Sequence, residues 1–132
     1  MIRTARKKDI PEITGLMKSE LGFWDETWRD NALEIGIVTA DGLALVCENK
    51  GKIVGFICAH DLGFRAYLSV LIVGQKYRKK GIAKALINRI ENVLSERGCK
   101  IIISDVWRGS VEFYRAIGWS QPDVILMRKN LT

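Results

Sequence analysis

The feature that most constrains the fold is a central segment in which a strand, a glycine-containing loop, a helix and a second strand follow one another. Residues 67–73, YLSVLIV, are rich in β-branched and aromatic residues and stop at Gly74, which is typical of a buried strand. Apolar residues recur at helical spacing from Gly81 to about Arg97, and residues 100–106 form another apolar strand. A strand–helix–strand unit of this length predicts two parallel strands with a right-handed crossover.

The rest of the chain predicts an antiparallel sheet with helices on its faces. Asn49 and Gly51 suit a tight hairpin turn between two apolar strands. In order, the predicted elements outside the central unit are a short opening strand, a helix with Asp9 as N-cap, a weaker helix within residues 22–37, the hairpin strands 43–48 and 52–59, a helix around 111–117 and a closing strand within 123–131. No linker or repeat interrupts them. We therefore predict one α+β domain, residues 1–132, whose mixed, mostly antiparallel sheet has one parallel pair.

Composition narrows the class of protein. No apolar run approaches the roughly 20 residues of a membrane-spanning helix, and the charged N-terminus is not followed by the apolar segment of a secretory signal. We therefore expect a cytoplasmic protein that does not enter a membrane. Cys47, Cys58 and Cys99 are widely spaced in apolar stretches, and His60 is the single histidine. This set favours neither a disulfide framework nor a metal site.

The basic run Tyr77–Lys80 lies immediately before Gly81 and the predicted helix. The first N–H groups of a helix have no intrahelical partner and, with the helix dipole, favour an anion. Glycine lets the backbone approach that anion, so a pyrophosphate fits this position. The alternative is a solvated basic surface, which is the commoner meaning of a charge run. The formal net charge of +6 agrees with an anionic partner without identifying it.

Three stretches together resemble the GNAT superfamily of N-acetyltransferases. In LSVLIVGQKYRKKGIAKALI, Arg78, Gly81 and Ala83 match the motif Arg/Gln-x-x-Gly-x-Gly/Ala. In SVEFYRAIGW, Ser110 and Tyr114 match a later motif that ends in glycine and an aromatic residue, and IRTARKKDIPEITGLM resembles the usual opening strand and helix. The resemblance covers nearly the whole chain and leaves residues 22–41 unconstrained. It implies transfer of an acetyl group from acetyl-coenzyme A to an amine by direct attack in a ternary complex, without a metal.

The resemblance also implies how the cofactor is held. Backbone amides from Lys79 to Lys84 would bind the pyrophosphate, Val73 would bond the pantetheine arm, and the amide of Leu71 would face the acetyl carbonyl if a bulge frees it. The strands on either side of the loop helix would splay to admit the pantetheine. The cofactor-binding positions implied in this way are Leu71, Ile72, Val73, Arg78, Lys79, Lys80, Gly81, Ile82, Ala83, Lys84 and Trp107.

Tyr114 matches the tyrosine that protonates the departing thiolate in many relatives. Its reference pKa of about 10 suits that role, and a structural core tyrosine is the alternative. Two departures from the family pattern affect the site. Trp107 replaces an asparagine that contacts the cofactor, and the fourth strand lacks a carboxylate at Tyr67. The general base is therefore open among His60, Asp61, Asp105 and an amine that arrives neutral.

The acceptor amine remains unspecified by the sequence. The resemblance places its pocket near residues 19–31, where Trp24, Glu26 and Trp28 are candidate contacts through cation–π or charge attraction, although packed tryptophans and solvated acids are the plainer interpretation. Two other functions stay open, namely a coenzyme A-binding regulatory domain without turnover and a basic nucleic-acid-binding module. No aromatic-basic RNA motif or recognition-helix signature supports the latter. A homodimer is the default expectation for a small enzyme.

Overall fold

One five-stranded sheet organises the chain, and the computed structural model describes all of its residues, 1–132. The strands are β1 (Ile2–Thr4), β2 (Ala44–Asn49), β3 (Lys52–Asp61), β4 (Ala66–Val73) and β5 (Ile102–Ile103). The helices are α1 (Ile10–Lys18), α2 (Ala32–Ala40), α3 (Ile82–Glu96) and α4 (Val111–Ala116). The strands lie in chain order across the sheet, and every neighbouring pair is antiparallel except β4 and β5. The predicted α+β class with one parallel pair is thus confirmed.

The hairpin between β2 and β3 forms as its turn residues predict. Asn49 pairs with Lys52, so two residues connect the strands. Lys50 and Gly51 both have positive φ, 53° and 77°, which is the conformation of a type I′ turn. The turn therefore fixes the register at this end of the sheet.

Helices cover both faces of the sheet. A Cβ built on Gly55 of β3 would lie 3.2 Å from Ile82 and 3.3 Å from Leu86 of α3, so the glycine allows α3 to approach closely. Cys58 contacts Gly36 of α2, and because it is an odd number of residues from Gly55 it points to the other face. The apolar stripe of α3 is buried as predicted, at Leu86, Ile87, Ile90 and Leu94.

A charged cluster joins the start of the sheet to α1. The guanidinium of Arg3 donates to both carboxylate oxygens of Asp9, at 2.8 and 2.9 Å, and also bonds Glu48. Asp9 accepts a third bond from the backbone N–H of Arg6 at 2.7 Å. Asp9 lies at the N-cap position of α1, but its side chain does not cap that helix. The predicted N-cap position is confirmed, but the Asp9 carboxylate makes no capping bond because Arg3 and Arg6 occupy both oxygens.

Two predicted elements differ from the structure. Residues 19–31 form turns, and the second helix begins only at Ala32. The predicted closing strand is wrong: residues 121–132 contain no strand, and the apolar side chains from Val124 to Met127 are exposed. β5 is two residues long and gives such a strand almost no edge to pair with. None of the helices is long and apolar enough to cross a membrane.

Candidate active site

β4 and β5 separate soon after they pair. Ala66 pairs with Ile102 and Tyr67 with Ile103, and Ser104 then donates its hydroxyl to the carbonyl of Leu68 at 2.9 Å. Beyond that bond the strands diverge around a cavity of about 230 Å³. The cavity is lined by Leu68–Leu71 of β4, by residues 104–107 after β5, by Ser110 and Tyr114, and by Phe23 and Trp28. The splayed strands therefore open a cleft, as the resemblance implies.

A bulge in β4 determines which backbone groups face this cleft. Val70 pairs with Cys58 and Leu68 with Ala59, so Ser69 has no counterpart on β3. On the far side of the bulge Gly74 donates its N–H to Val54 of β3. Because bonding alternates along an antiparallel strand, the backbone groups of Leu71 and Val73 point away from β3 into the cleft. Those of Ile72 point to β3, so the predicted contribution of Ile72 has no support from the backbone geometry.

The loop before α3 presents unpaired backbone donors. Gly81 has φ +83°, no heavy atom lies within 4 Å of the position that a Cβ would occupy there, and Lys79 has φ +63°. The first intrahelical bond after the loop runs from the Ala85 N–H to Gly81, which leaves the preceding amides free for an anion. Lys80, Ile82, Ala83 and Lys84 belong to the same loop and first helical turn. The geometry fits a pyrophosphate that lies against the amides.

The Arg78 side chain has protein partners. Its Nε donates to the Val73 carbonyl at 3.0 Å, and its Nη2 bonds Glu20 at 2.5 Å. These bonds tie the loop to the end of β4 and to the segment after α1. Arg78 therefore shapes the loop, and its bond to Glu20 pairs an acidic side chain of the segment between α1 and α2.

Tyr114 lies in the cleft on α4. Its ring packs edge-on against Phe113 and Trp119, with centroid distances of 5.3 and 5.0 Å. Burial raises the pKa of its phenol to about 12. The phenol therefore stays protonated at neutral pH, as a proton donor must.

A second phenol holds the one charged side chain of the cleft. Tyr67, at the last paired position of β4, donates its hydroxyl to Asp105. Burial and this bond to the carboxylate raise the pKa of Tyr67 to about 12. Asp105 lines the cavity, so the adjacent segment supplies a carboxylate that β4 itself lacks.

The predicted acceptor residues do not all reach the cleft. Trp28 lines the cavity and packs edge-on against Trp24 at 5.2 Å, while Trp24 also lies under the ammonium of Lys18. Glu26 is exposed and lies outside the cavity lining. Trp107, which is 53% exposed, packs edge-on against Phe23 at 5.4 Å. Trp107 and Phe23 thus form one wall of the cleft.

Sequence reasoning missed six cleft residues, the apolar Leu68, Val70 and Val106 and the more distinctive Phe23, Ser69 and Ser104. Ser69 is the single polar residue in the apolar run of β4, a signal that could have indicated its special position. Phe23 and Ser104 carry no comparable local signal because tertiary packing alone brings their segments together. Cys58 lies near the cleft, but burial raises the pKa of its thiol to about 11, which suppresses the thiolate that an acyl-cysteine route requires.

Several solved structures share this fold. The PaiA N-acetyltransferase from Thermoplasma acidophilum in complex with coenzyme A superposes with a TM-score of 0.82 at 20% identity, covering 95% of this chain and 92% of that one. The aminoglycoside acetyltransferase AAC(6')-Iy, solved with a bisubstrate analogue, gives 0.78 at 23% identity over 98% and 97%. A transcriptional regulator from Bacillus halodurans C-125 gives 0.80 at 17% identity over 98% and 99%. The fold is therefore one that N-acetyltransferases adopt.

The sequence itself defines the family. The acetyltransferase (GNAT) family model matches residues 11–119, which include the glycine loop, both strands of the cleft and α4. The chain belongs to the GNAT acetyltransferase family. It is thus classed with acyltransferases whose co-substrate is acetyl-coenzyme A.

Proposed function

We propose that the protein is an N-acetyltransferase that moves the acetyl group of acetyl-coenzyme A to an amine by direct attack in a ternary complex. The observation that carries the proposal is the cleft between β4 and β5, which opens beside the free amides before α3. An elongated thioester whose phosphates bind those amides has its acyl end in the cleft. The residues of the loop before α3 and those that line the cleft fit acetyl-coenzyme A.

The phosphate end is held by backbone donors. The amides from Lys79 to Lys84 bind the pyrophosphate, and the dipole of the 15-residue α3 adds to their attraction. The positive side chains of Lys79 and Lys80 offset the phosphate charge. Arg78 contributes through its bonds to Val73 and Glu20, which keep the loop in place. The Val73 N–H, directed into the cleft, bonds the pantetheine arm.

The reacting carbonyl lies near Leu71. The Leu71 N–H points into the cleft and donates to the carbonyl oxygen as negative charge develops on it, an effect worth about 3 kcal/mol where such donors have been removed. The Tyr114 phenol donates its proton to the thiolate that leaves. The phenol carries its proton at neutral pH, although burial raises its pKa to about 12 and so makes it a weaker acid than an exposed tyrosine.

The acceptor amine enters from the side of the segment between α1 and α2. Trp28 and the Trp107–Phe23 wall contact it, and Asp105 attracts its ammonium form. Trp24 supports Trp28 from behind. Glu26 acts at most at the rim, since its exposed side chain lies outside the cavity lining.

Thiol release from acetyl-coenzyme A in the presence of an amine panel tests the proposal. The panel contains a peptide α-amine, a lysine side chain in a peptide, spermidine and an aminoglycoside, and mass spectrometry identifies the acetylated product. Amine-dependent thiol release that Tyr114→Phe strongly reduces supports the proposal. Acetyl-coenzyme A binding without turnover on the panel favours a regulatory domain instead, and absence of binding refutes both.

A further inference from the structure

His60 lies in a polar cluster behind the cleft. Its Nε2 is 2.8 Å from the Ser69 hydroxyl, and its Nδ1 is 3.3 Å from the Thr39 hydroxyl of α2. Ser69 Oγ is also 3.1 Å from the Cys58 carbonyl, and Thr39 Oγ1 is 2.8 Å from the Ile35 carbonyl. The cluster thus links α2, β3 and β4 through side-chain hydrogen bonds.

The direction of the two bonds to the His60 ring depends on its tautomer, and the shorter distances favour one tautomer. Each hydroxyl has one proton. The Thr39 proton goes to Ile35, which is nearer than His60, so Thr39 accepts and Nδ1 of His60 carries the ring proton. Nε2 is then an acceptor, and the Ser69 proton goes to it in preference to the more distant Cys58 carbonyl. The basic nitrogen of the imidazole therefore faces Ser69.

Ser69 connects this nitrogen to the reaction cleft. It is the bulged residue of β4, it is exposed, and it lines the same cavity as Leu71 and Tyr114. A group bound in the cavity can contact the Ser69 oxygen, whereas His60 is outside the lining. The bulge thus places a hydroxyl between a base and the proposed reaction centre.

We propose that Ser69 and His60 form a proton relay that removes the proton from the acceptor amine, an inference that rests on the proposed acetyl transfer. Ser69 touches the substrate, and His60 acts through Ser69. The relay supplies the general base for which the sequence left His60, Asp61 and Asp105 as alternatives.

The proton transfers balance along this path. The ammonium form first loses one proton to solvent. As the neutral amine nitrogen then forms its bond to the acetyl carbon, one of its remaining protons passes to Ser69 Oγ while the Ser69 proton passes to Nε2 of His60. The C–S bond then breaks, and the thiolate takes the Tyr114 proton. His60 afterwards releases its proton to solvent and Tyr114 regains one, so that the amide and the free thiol are the net products.

The surroundings of His60 keep it neutral. Its contacts are Thr39 from α2, Ser69 from β4 and Cys58 from its own strand, 3.8 Å away. Two titratable groups face it: burial raises the thiol pKa of Cys58 to about 11, and burial together with the bond to Asp105 raises the pKa of Tyr67, the residue opposite His60 on β4, to about 12, so both are uncharged at neutral pH. Burial lowers the pKa of His60 from 6.5. The imidazole is therefore available as a base at pH 7 and is lost only at lower pH.

The first test reads the tautomer and needs no substrate. Because His60 is the only histidine, the ¹⁵N–¹H long-range NMR spectrum of the ¹⁵N-labelled full chain reports its two ring nitrogens without assignment. We expect a proton on Nδ1 and none on Nε2 at pH 7. Thr39→Val removes the Nδ1 partner and should shift the tautomer ratio, whereas Thr39→Ser keeps the hydroxyl and should not. A proton on Nε2 in the natural chain overturns the relay.

The second test follows kcat/KM against pH with the best amine of the panel. His60→Gln retains a hydrogen-bonding side chain but cannot accept a proton. We expect it to lower kcat/KM at pH 7 by about 100-fold, the lower bound of general acid–base contributions, and to abolish the fall in rate at acidic pH. Ser69→Ala should lower the rate in the same way, and Ser69→Thr, which keeps the hydroxyl, should restore it.

Calorimetric titration with acetyl-coenzyme A separates this proposal from the proposed function. Unchanged acetyl-coenzyme A affinity in His60→Gln together with loss of the acidic limb supports the relay. Unchanged affinity of His60→Gln with an unaltered pH profile overturns the relay alone. If Asp105→Asn then removes the acidic limb, Asp105 is favoured as the general base. Absence of acetyl-coenzyme A binding by the natural chain overturns the acetyl transfer, and the relay with it.

Discussion

Replacement of Gly81 by alanine and by glutamate separates backbone strain from charge at the proposed phosphate loop. Gly81 has φ +83°, and no atom lies within 4 Å of its Cβ position. Any side chain there costs about 1–2 kcal/mol of strain, and this cost is common to both variants. The glutamate adds a negative charge where the pyrophosphate is proposed to bind. At about 5 Å and an effective dielectric constant of about 20, one like-charge pair costs about 3 kcal/mol.

Calorimetric titration with acetyl-coenzyme A measures the difference in binding affinity between the two Gly81 variants. We expect Gly81→Glu to bind about 100-fold more weakly than Gly81→Ala, since each 1.4 kcal/mol is about tenfold. Thermal denaturation provides the control, because the two variants share the strain and should unfold at similar temperatures. Equal affinities of the two folded variants would refute the assignment of the loop as a phosphate site and return the basic run to a solvated surface.

Three further predictions concern the cleft and the fold. Tyr114→Phe should lower kcat by about 100-fold or more with unchanged acetyl-coenzyme A affinity; a parallel loss of affinity would indicate a structural tyrosine. Asp9→Asn should cost about 2 kcal/mol in urea denaturation at pH 7, because Arg3 lowers the pKa of Asp9 to about 2. A lowered folded-state pKa gives stability that is present above pH about 4 and is lost as the pH falls towards 2. The difference in unfolding free energy between the natural chain and Asp9→Asn should therefore be smaller at pH 3 than at pH 7. An equal difference at both pH values would contradict the stabilising role of the ionised Asp9. Ser104→Ala should lower the free energy of unfolding by about 1 kcal/mol through loss of its hydrogen bond to the Leu68 carbonyl. An unchanged melting temperature would count against a stabilising role of that bond.

Local patterns predict the elements whose conformation is set by neighbours in the chain. The hairpin follows from Asn49 and Gly51, which suit a tight turn, and α3 follows from a stripe of apolar residues that becomes its buried face. Gly81 marks the start of α3 because a residue that tolerates positive φ suits that position. In each case, the signal lies within a few residues of the structure that it specifies.

The cleft depends on contacts that no local pattern contains. Phe23 meets Trp107 across 84 positions of sequence, and Tyr67 meets Asp105 across 38. The prediction of a closing strand was wrong although its local pattern was suitable. Residues 123–131 have the apolar, β-branched composition of a strand, but a strand also needs the edge of another strand with which to pair. Composition describes what a segment can form, and the partner decides whether it forms.

The bulge at Ser69 shows how one residue can determine a site. If Ser69 were paired regularly with β3, the backbone groups facing β5 would alternate from Leu68, whose carbonyl faces Ser104, to Val70. The Leu71 and Val73 amides would then face β3. The extra residue reverses that alternation, so the two amides turn to the cleft while β3 remains paired. The same insertion leaves a hydroxyl at the cleft wall, where it contacts the Cys58 carbonyl and Nε2 of His60. The proposed donor for the carbonyl oxygen and the proposed relay for the amine proton therefore have a common structural origin in this bulge.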